Sequence, residues 1–586
     1  MDRLTNRDIA QALGELADLV ELAGDHDEEF RVRALKRGSR EIERLAEPAV
    51  ELLAGRRLAS IAGIGDGIAR RVAELRDTGK LAELDEAKKK AAGLIQVARV
   101  DGIGNPTARL LRDRLGVRSL EDLEAAATSG RLRGVPGFAS RKISELLAAI
   151  DRTRASRPKL RADLARKEVM PFLEAVRAVP GVVFADLCGS LVRRRDLVGD
   201  VDIMAATTDP MAVAEVFTRH KHAEVVLAKG ARSGIRTYTG LQVDVFCVAT
   251  DKIGLAWHSW IGSKEHLIAL RILAMREQGL KINEDGIWEN GGSGPRRPGG
   301  ERPEDERLVY ETLGMQYIPP ELREMRGEIP RARAGSMPRL LEAADLRGDL
   351  HVHSGEGGDG GDALEAIADA AAARGLDYVA ITDHSAARGG LDADRLAAQA
   401  RRIRELNDRR GGRPRLLAGV EVDILPDGTL DLPARALAGL DFVLAAAHTA
   451  LDLPRAAQTR RLVAAIESGL IDAVAHASGR LVGQRDAIDL DLEEVAAACA
   501  RTDVALELNV HPTRHDLGDV NAFMARERRA WLVMGTDAHV AAAVGDFDDG
   551  IWVARRAWVE PQHVLNTRPL DDLLDLLRAR RREVGL

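Results

Sequence analysis

The stretch Tyr378-Val379-Ala380-Ile381-Thr382-Asp383-His384-Ser385 begins as an apolar run and ends in polar, chemically active side chains. The same pattern recurs at residues 349–354, 416–424, 442–449, 471–478, 504–510 and 531–539. Ala/Leu/Arg-rich segments of helical character separate most of these runs. Strand-like runs alternating with helices predict a parallel βα barrel. In such barrels the chemistry gathers at the C-terminal ends of strands, where these polar residues fall. A doubly wound open sheet has the same alternation, and spacing alone does not choose between the two.

The polar ends are rich in metal-ligating types. His351 and His353 end the first run, Asp359 follows in a Gly-rich loop, and His384 ends the second. Glu421, His448 and His476 end the next three, and Asp537 with His539 end the last. Nine of the 14 histidines lie from His351 onward, an excess too small to decide anything. Their placement decides it. Imidazole mixed with carboxylate selects Zn, Mn or Fe over Mg or Ca, and nine ligands suffice for three ions.

Working back toward the N-terminus, residues 165–320 mix short apolar strands with helices. Asp200-Val201-Asp202 puts two carboxylates on one face of a strand, and Leu241-Gln242-Val243-Asp244-Val245 sets Asp244 and Gln242 opposite the valines. Three convergent carboxylates suit hard divalent ions such as Mg²⁺ or Mn²⁺. Gly189-Ser190 and Arg193-Arg194-Arg195 stand just upstream. A Gly-Ser turn and guanidinium groups hold phosphates, so the set fits triphosphate transfer. Gly291 to Gly300 reads as a hairpin or loop excursion, and Pro319, Pro320, Pro330 and Pro338 mark an extended linker to about residue 346.

Residues 1–160 read as almost wholly helical. Two matching turns, Gly63-Ile64-Gly65 and Gly102-Ile103-Gly104, and a looser third at Gly134-Val135-Pro136-Gly137, sit between helices. Such turns leave N–H groups open at the start of the next helix, where a phosphate can be held. Between residues 131 and 167, eleven Lys/Arg face three acids, although the chain as a whole carries a net charge of −7. A basic segment in an acidic chain marks a confined polyanion surface.

Composition sets the outer bounds. The 586 residues allow three or four domains. With 45% hydrophobic and 30% charged residues the chain reads as globular and soluble. Aromatics at 3% argue against stacking platforms for single strands. Three scattered cysteines exclude a disulfide framework and imply a reducing compartment. The charged N-terminus lacks a signal peptide's apolar core, and no apolar run approaches a membrane span. The expectation is a cytoplasmic protein with no membrane partner.

Three resemblances follow from these motifs. The Gly turns resemble the helix-hairpin-helix element of DNA repair proteins. Residues 189–202 with Asp244 resemble the nucleotidyltransferase motif of family X DNA polymerases, and Trp260-Ile261-Gly262-Ser263-Lys264-Glu265-His266 resembles their thumb motif. The C-terminal half resembles the polymerase-and-histidinol-phosphatase (PHP) family through Asp349-Leu350-His351-Val352-His353, Thr382-Asp383-His384, Gly419-Val420-Glu421 and Thr536-Asp537-Ala538-His539. That order, with the connecting segment Tyr317-Ile318-Pro319-Pro320-Glu321-Leu322-Arg323-Glu324, is the order of bacterial family X polymerases carrying a PHP domain.

The resemblance implies an all-α helix-hairpin-helix N-terminal domain, an α/β nucleotidyltransferase-type polymerase domain and a C-terminal distorted βα barrel. The expected boundaries are 1–90, 91–160, 161–320, a linker at 321–346, and 347–586. It implies gap-filling DNA synthesis joined to a 3′-5′ exonuclease in a DNA repair enzyme, acting on gapped or 3′-ended DNA and dNTPs; a monomer is expected, although the sequence does not reveal the oligomeric state. The implied catalytic and metal ligands of the polymerase are Asp200, Asp202 and Asp244, with Mg²⁺ or Mn²⁺. The nucleotide would contact Gly189, Ser190, Arg193, Trp260, Gly262 and Ser263, and DNA would contact Gly63, Gly65, Gly102 and Gly104. The implied PHP ligands are His351, His353, Asp359, His384, Glu421, His448, His476, Asp537 and His539, holding up to three Mn²⁺ or Zn²⁺ ions. Four positions depart from the polymerase pattern: Val192, Gln242, Ser259 and Leu267 stand where it has Arg, a basic residue, an aromatic and Asn. The alternative is a PHP nuclease or 3′-end phosphatase whose polymerase half serves as a DNA-binding module. Arg71 replaces the Schiff-base lysine of some relatives, so an abasic-site lyase is not expected. The spacing from His353 to Asp359 is one residue longer than usual.

Overall fold

The computed structural model describes residues 6–23, 28–43, 45, 47–98, 100, 103, 105–135, 146–147, 149–150, 159–289 and 295–583. Residues group into two compact units, one of 1–160, 164–187 and 198–250, the other of 161–163, 188–197 and 251–586.

The first unit opens with helices. Asn6–Ala23, Glu29–Glu43, Asp66–Thr78, Ala82–Ala98, Asn105–Leu115 and Leu120–Thr128 bury one apolar stripe each, joining Leu13, Leu16, Leu35, Val72, Leu94, Leu111 and Leu123 in a single core. The first Gly turn leads directly into Asp66–Thr78, whose N-cap is Gly65. Gly102 and Gly104 of the second turn, Pro136 and Gly137 of the third, and much of the basic stretch lie outside the described residues.

A five-stranded sheet follows. Its spatial order is Val182–Cys188, Asp200–Thr207, Gln242–Val248, Arg232–Thr237 and Ala223–Ala228. The strands Asp200–Thr207 and Gln242–Val248 run parallel, with Asp202 opposite Asp244 and Asp200 opposite Gln242. Period-2 alternation buries Val201, Ile203, Val243 and Val245 on one side and turns the carboxylates to the other.

The second unit contains the barrel. Seven strands, Gly348–Val352, Tyr378–Ile381, Arg415–Asp423, Phe442–Ala446, Ala473–Val474, Ala505–Asn509 and Leu532–Gly535, lie side by side in chain order, all parallel. Val352 bridges Ala538 in parallel, and Asp537 and His353 exchange backbone bonds with His351 and Ala538. These bonds bring the first strand against the segment leaving the last, so the sheet is a nearly closed barrel rather than an open doubly wound one. Alternation divides its side chains cleanly. Phe442 and Leu444 pack with Leu417 and with Leu573, Leu574 and Leu577 of the C-terminal helix Leu570–Glu583, while Val443 and Ala445 join the larger core formed with the surrounding helices. Glu421 shares the Leu417 face of its strand.

The proline-marked stretch at 321–346 is not the extended linker expected of it. It forms the helix Glu328–Arg333 and buries Leu322, Arg323, Ile329, Leu340 and Leu341. Pro330 sits in the first turn of that helix, where a missing N–H costs no bond. Of the Gly-rich run from Gly291 to Gly300, the described residues are 295–300: the strand Pro295–Pro298, antiparallel to Gly286–Glu289, then Gly299 and Gly300, the latter bridging Lys252.

Candidate metal centre and nucleotide loop

All nine predicted barrel ligands come together at one end of the strands. Their donor atoms form four overlapping groups, each drawn within 4.8 Å: His353, Asp359, His384 and His539; His351, His353 and Asp537; His351, Glu421 and His476; and His384, Glu421 and His448. Glu421 is the hub. Its Oε1 lies 2.8 Å from His476 Nε2 and 3.3 Å from His448 Nε2, and its Oε2 lies 2.8 Å from His384 Nδ1 and 3.6 Å from His351 Nε2. Asp537 Oδ1 stands 3.3 Å from His353 Nε2 and 3.5 Å from His351 Nε2. Asp359 Oδ2 stands 3.0 Å from His384 and 3.4 Å from His539. Asp359 lies in the Gly-rich loop, which is closed by Gly355 N–H donating to Asp362 O at 2.7 Å.

The donor set fits cations. Both Glu421 oxygens, His353 Nδ1, Asp359 Oδ1, His384 Nδ1 and His448 Nε2 are buried and make no hydrogen bond of good geometry. Buried polar atoms left so would cost about 1–3 kcal/mol each, and convergent imidazole and carboxylate donors are what a transition metal satisfies. The electrostatics agree. Burial raises Glu421 and Asp537, but the imidazoles around them outweigh it and hold both well below the usual carboxylate range. Burial alone would lower His384, yet Asp359 and Glu421 push it up to about 10. Burial takes His353 down to about 4. A cation entering this cluster displaces imidazole protons, so loading weakens as pH falls.

Supporting side chains aim the ligands. Glu507 Oε1 lies 2.6 Å from His351 Nδ1, and Glu507 Oε2 accepts the His476 N–H at 2.8 Å. Asn509 Nδ2 donates to Asp537 Oδ2 at 3.1 Å, and Arg514 Nε stands 3.0 Å from the same oxygen. Asp423 Oδ1 is 3.2 Å from His448 Nδ1. Gly535 lets the last strand come this close, since a Cβ there would meet Glu507 Oε1 and His351 Cβ at 2.4 Å. None of Glu507, Asn509, Arg514 and Asp423 was among the expected ligands. The signal for Glu507 was present: one charged residue inside the apolar run 504–510. Glu507→Gln should weaken metal binding by about 10–100-fold with little loss of fold, as read by metal titration alongside circular dichroism.

The polymerase-like residues divide between the two units. In the first, Asp200 and Asp202 are half-buried and Asp244 is 6% exposed. Gln242 Nε2 donates to Asp244 Oδ2 at 2.9 Å, and Arg232 stands 3.8 Å from that oxygen. In the second, Gly189 adopts φ 68°, a left-handed conformation that suits glycine, and its N–H donates to Trp260 O at 2.9 Å. Arg193 Nε donates to Glu324 Oε1 at 3.0 Å, and its Nη1 reaches Ile261 O and Gly262 O at 3.3 and 3.4 Å. Arg194 lies over the Trp552 ring at 4.2 Å. Ser263 caps the helix Lys264–Gln278 by accepting from His266 N–H at 3.2 Å. His266 Nδ1 lies 2.7 Å from Glu328, both fully buried. Leu267 packs toward Gly262, 9% exposed.

In the first hairpin, Gly63 has φ 96° and leads to Gly65. Arg71 is bound by Glu83 at 2.6 Å and donates to Gly67 O at 2.9 Å. It is a structural cation there.

Comparison with known proteins matches three segments of the chain to known families. Residues 4–81 match the helix-hairpin-helix domain family, 256–324 the DNA polymerase beta thumb, and 349–511 the PHP domain. Over 579 residues, 98% of this chain and 99% of the relative, the sequence is 32% identical to the DNA polymerase/3′-5′ exonuclease PolX of Bacillus subtilis. Part of the chain is 33% identical over 245 residues to a probable phosphatase of Edwardsiella ictaluri, covering 40% of this chain and 96% of that one. Part of it is also 28% identical over 174 residues to the probable phosphatase YcdX of Escherichia coli, covering 28% of this chain and 68% of that one.

Proposed function

Because the chain belongs to the PolX family of DNA polymerase/3′-5′ exonucleases, we propose that it fills short DNA gaps by nucleotidyl transfer and trims 3′ ends by metal-dependent phosphodiester hydrolysis. The observation that carries the reading is the convergence of five imidazoles on Glu421 at the strand ends of the barrel. His351, His353, Asp359, His384, Glu421, His448, His476, Asp537 and His539 would hold up to three Mn²⁺ or Zn²⁺ ions. Bound there, the ions would supply an activated water and charge stabilisation for the leaving oxygen. The chain's own part is to fix that geometry: Glu507 and Asp423 orient His351 and His448, and Arg514 offers a cation beside Asp537.

For synthesis, Asp200, Asp202 and Asp244 would hold Mg²⁺ or Mn²⁺. Gly189, Ser190, Arg193, Trp260, Gly262 and Ser263 would hold the nucleotide, and the turns at Gly63, Gly65, Gly102 and Gly104 the DNA backbone. The proposed domains are 1–90, 91–160, 161–320 and 347–586, in a monomer acting in the cytoplasm. Among the described residues no helix is long and apolar enough to cross a membrane.

A second reading, a PHP phosphoesterase whose polymerase half only binds DNA, is favoured by Val192, Gln242, Ser259 and Leu267 and by the Arg193–Glu324 pair. Gapped, primer-labelled DNA with Mn²⁺, with and without dNTPs, separates the two. The first reading requires primers that lengthen with dNTPs and shorten without them; shortening alone in both supports the second.

DNA binding is expected to weaken steeply with salt and to vary little with sequence. Phosphate contacts by the Gly turns and the basic stretch release counterions, so six or more contacts would lower affinity by about a thousandfold or more between 50 and 200 mM salt. Fluorescence anisotropy across that range checks it, and a flat response would remove the phosphate-gripping assignment.

A further inference from the structure

Four guanidinium groups gather around two carboxylates beside the Gly189–Ser190 turn. Glu324 lies 3.0 Å from Arg193, 3.3 Å from Arg556 and 3.7 Å from Arg195. Asp519 lies 2.6 Å from Arg556 and 2.7 Å from Arg326. The cluster is sheltered, with Arg193 14%, Glu324 13% and Arg556 3% exposed, so salt screens it weakly. A sheltered surplus of guanidinium over carboxylate is suited to a further anion. Glu324, one of the two carboxylates already counted, holds the Nε edge of Arg193 from within the chain.

We infer that Glu324 is an internal competitor for the guanidinium that takes the incoming triphosphate, a positioning residue that keeps Arg193 engaged until nucleotide arrives. The inference rests on the nucleotide-site reading above. Its physical basis is that Arg193 offers one fork of donors, and a carboxylate at 3.0 Å uses the edge a phosphate would use. Val192 adds no second guanidinium at the preceding position, so the competition bears on the remaining one. Arg193 also bonds Ile261 O and Gly262 O, which ties its position to the turn between the helices Ile253–Ile261 and Lys264–Gln278. The competitor is fastened in turn by the barrel. Arg556 ends the helix Ile551–Arg556, bonds Glu324 and Asp519, and donates to the carbonyl of Arg193. Asp196, held near pKa 2 against the effect of its burial by His515 and Arg480, anchors the same loop to the barrel at 3.0 and 2.6 Å. Apparent nucleotide affinity is then lowered by the fraction of molecules in which Arg193 is still engaged.

The test is a double-mutant cycle on the full-length protein. Binding of Mg²⁺ with an α,β-methylene deoxynucleoside triphosphate is measured by calorimetry for wild type, E324Q, E324D, R193A and R193A/E324Q. E324Q should bind about tenfold more tightly, the worth of one relieved charge-assisted contact, while E324D, which keeps the charge, stays closer to wild type. In the R193A background E324Q should change nothing, because the residue competed for is gone. In gap filling, E324Q should lower KM for dNTP with kcat nearly unchanged. A merely structural Glu324 would instead lower kcat and the melting temperature together. Arg556 keeps Asp519 at 2.6 Å in the variant, so the fold retains a partner for that cation. Wild type that binds the analogue while E324Q binds it equally or less tightly overturns the proposal alone. Absence of binding in every variant, with 3′ trimming intact, overturns the nucleotide-site reading and the proposal with it.

Discussion

Replacing His351 and His353 together with Ala is expected to abolish 3′-end trimming and empty at least one ion position, while leaving gap filling in place. The two residues lie at the C-terminal end of the first barrel strand, and their Nε2 atoms stand 3.1 Å apart. Each belongs to two of the four donor groups, and one group, with Asp537, contains both. Removing both leaves that group with Asp537 alone. The supporting groups Glu507 and Asn509 hold ligands rather than ions and cannot replace direct bonds. Losing the stabilisation an ion provides is worth several kcal/mol of barrier, so trimming should fall by about a thousandfold or more. Elemental analysis and trimming assays on one preparation check it. Unchanged trimming with both rings gone would move the nuclease elsewhere and end the reading of the barrel as its site.

The ligands were legible because each sits at the end of an apolar run, a local pattern that survives without tertiary information. What was not legible depends on pairs far apart in the chain. Closure of the barrel rests on Val352 meeting Ala538, and nothing near either residue announces it. Glu507 was hidden by reading 504–510 as an ordinary strand, although a fully buried carboxylate between Leu506 and Leu508 in the chain requires partners, and these are His351 Nδ1 and the His476 N–H. The engagement of Arg193 by Glu324, 131 residues away, left no trace in the local motif. Prolines misled in the other direction. Between residues 319 and 338 they suggested an extended chain, but Pro330 opens a helix, and Leu340 and Leu341 supply the burial that holds the segment down.

Replacing Asp200 and Asp202 with Ala is expected to abolish nucleotide addition and spare trimming. These carboxylates belong to the strand Asp200–Thr207, with Asp202 paired in register to Asp244 on the neighbouring strand. Under the proposed roles the three hold the ions that align primer hydroxyl and triphosphate, and one aspartate cannot hold both. Addition should therefore drop by about a thousandfold or more. Trimming has no reason to follow, because its ligands are other residues, in a different compact unit of the chain. The fold has little reason to suffer either, since both side chains are only half-buried and Val201 and Ile203 keep the strand's apolar face intact. On labelled gapped DNA with Mn²⁺ and dNTPs, the longer products should vanish and the shorter ones remain. They should even increase, because synthesis no longer refills what hydrolysis removes. If shortening disappeared along with lengthening while the melting temperature held, one site would be serving both reactions, and the division of labour between aspartate strand and histidine barrel would have to be given up.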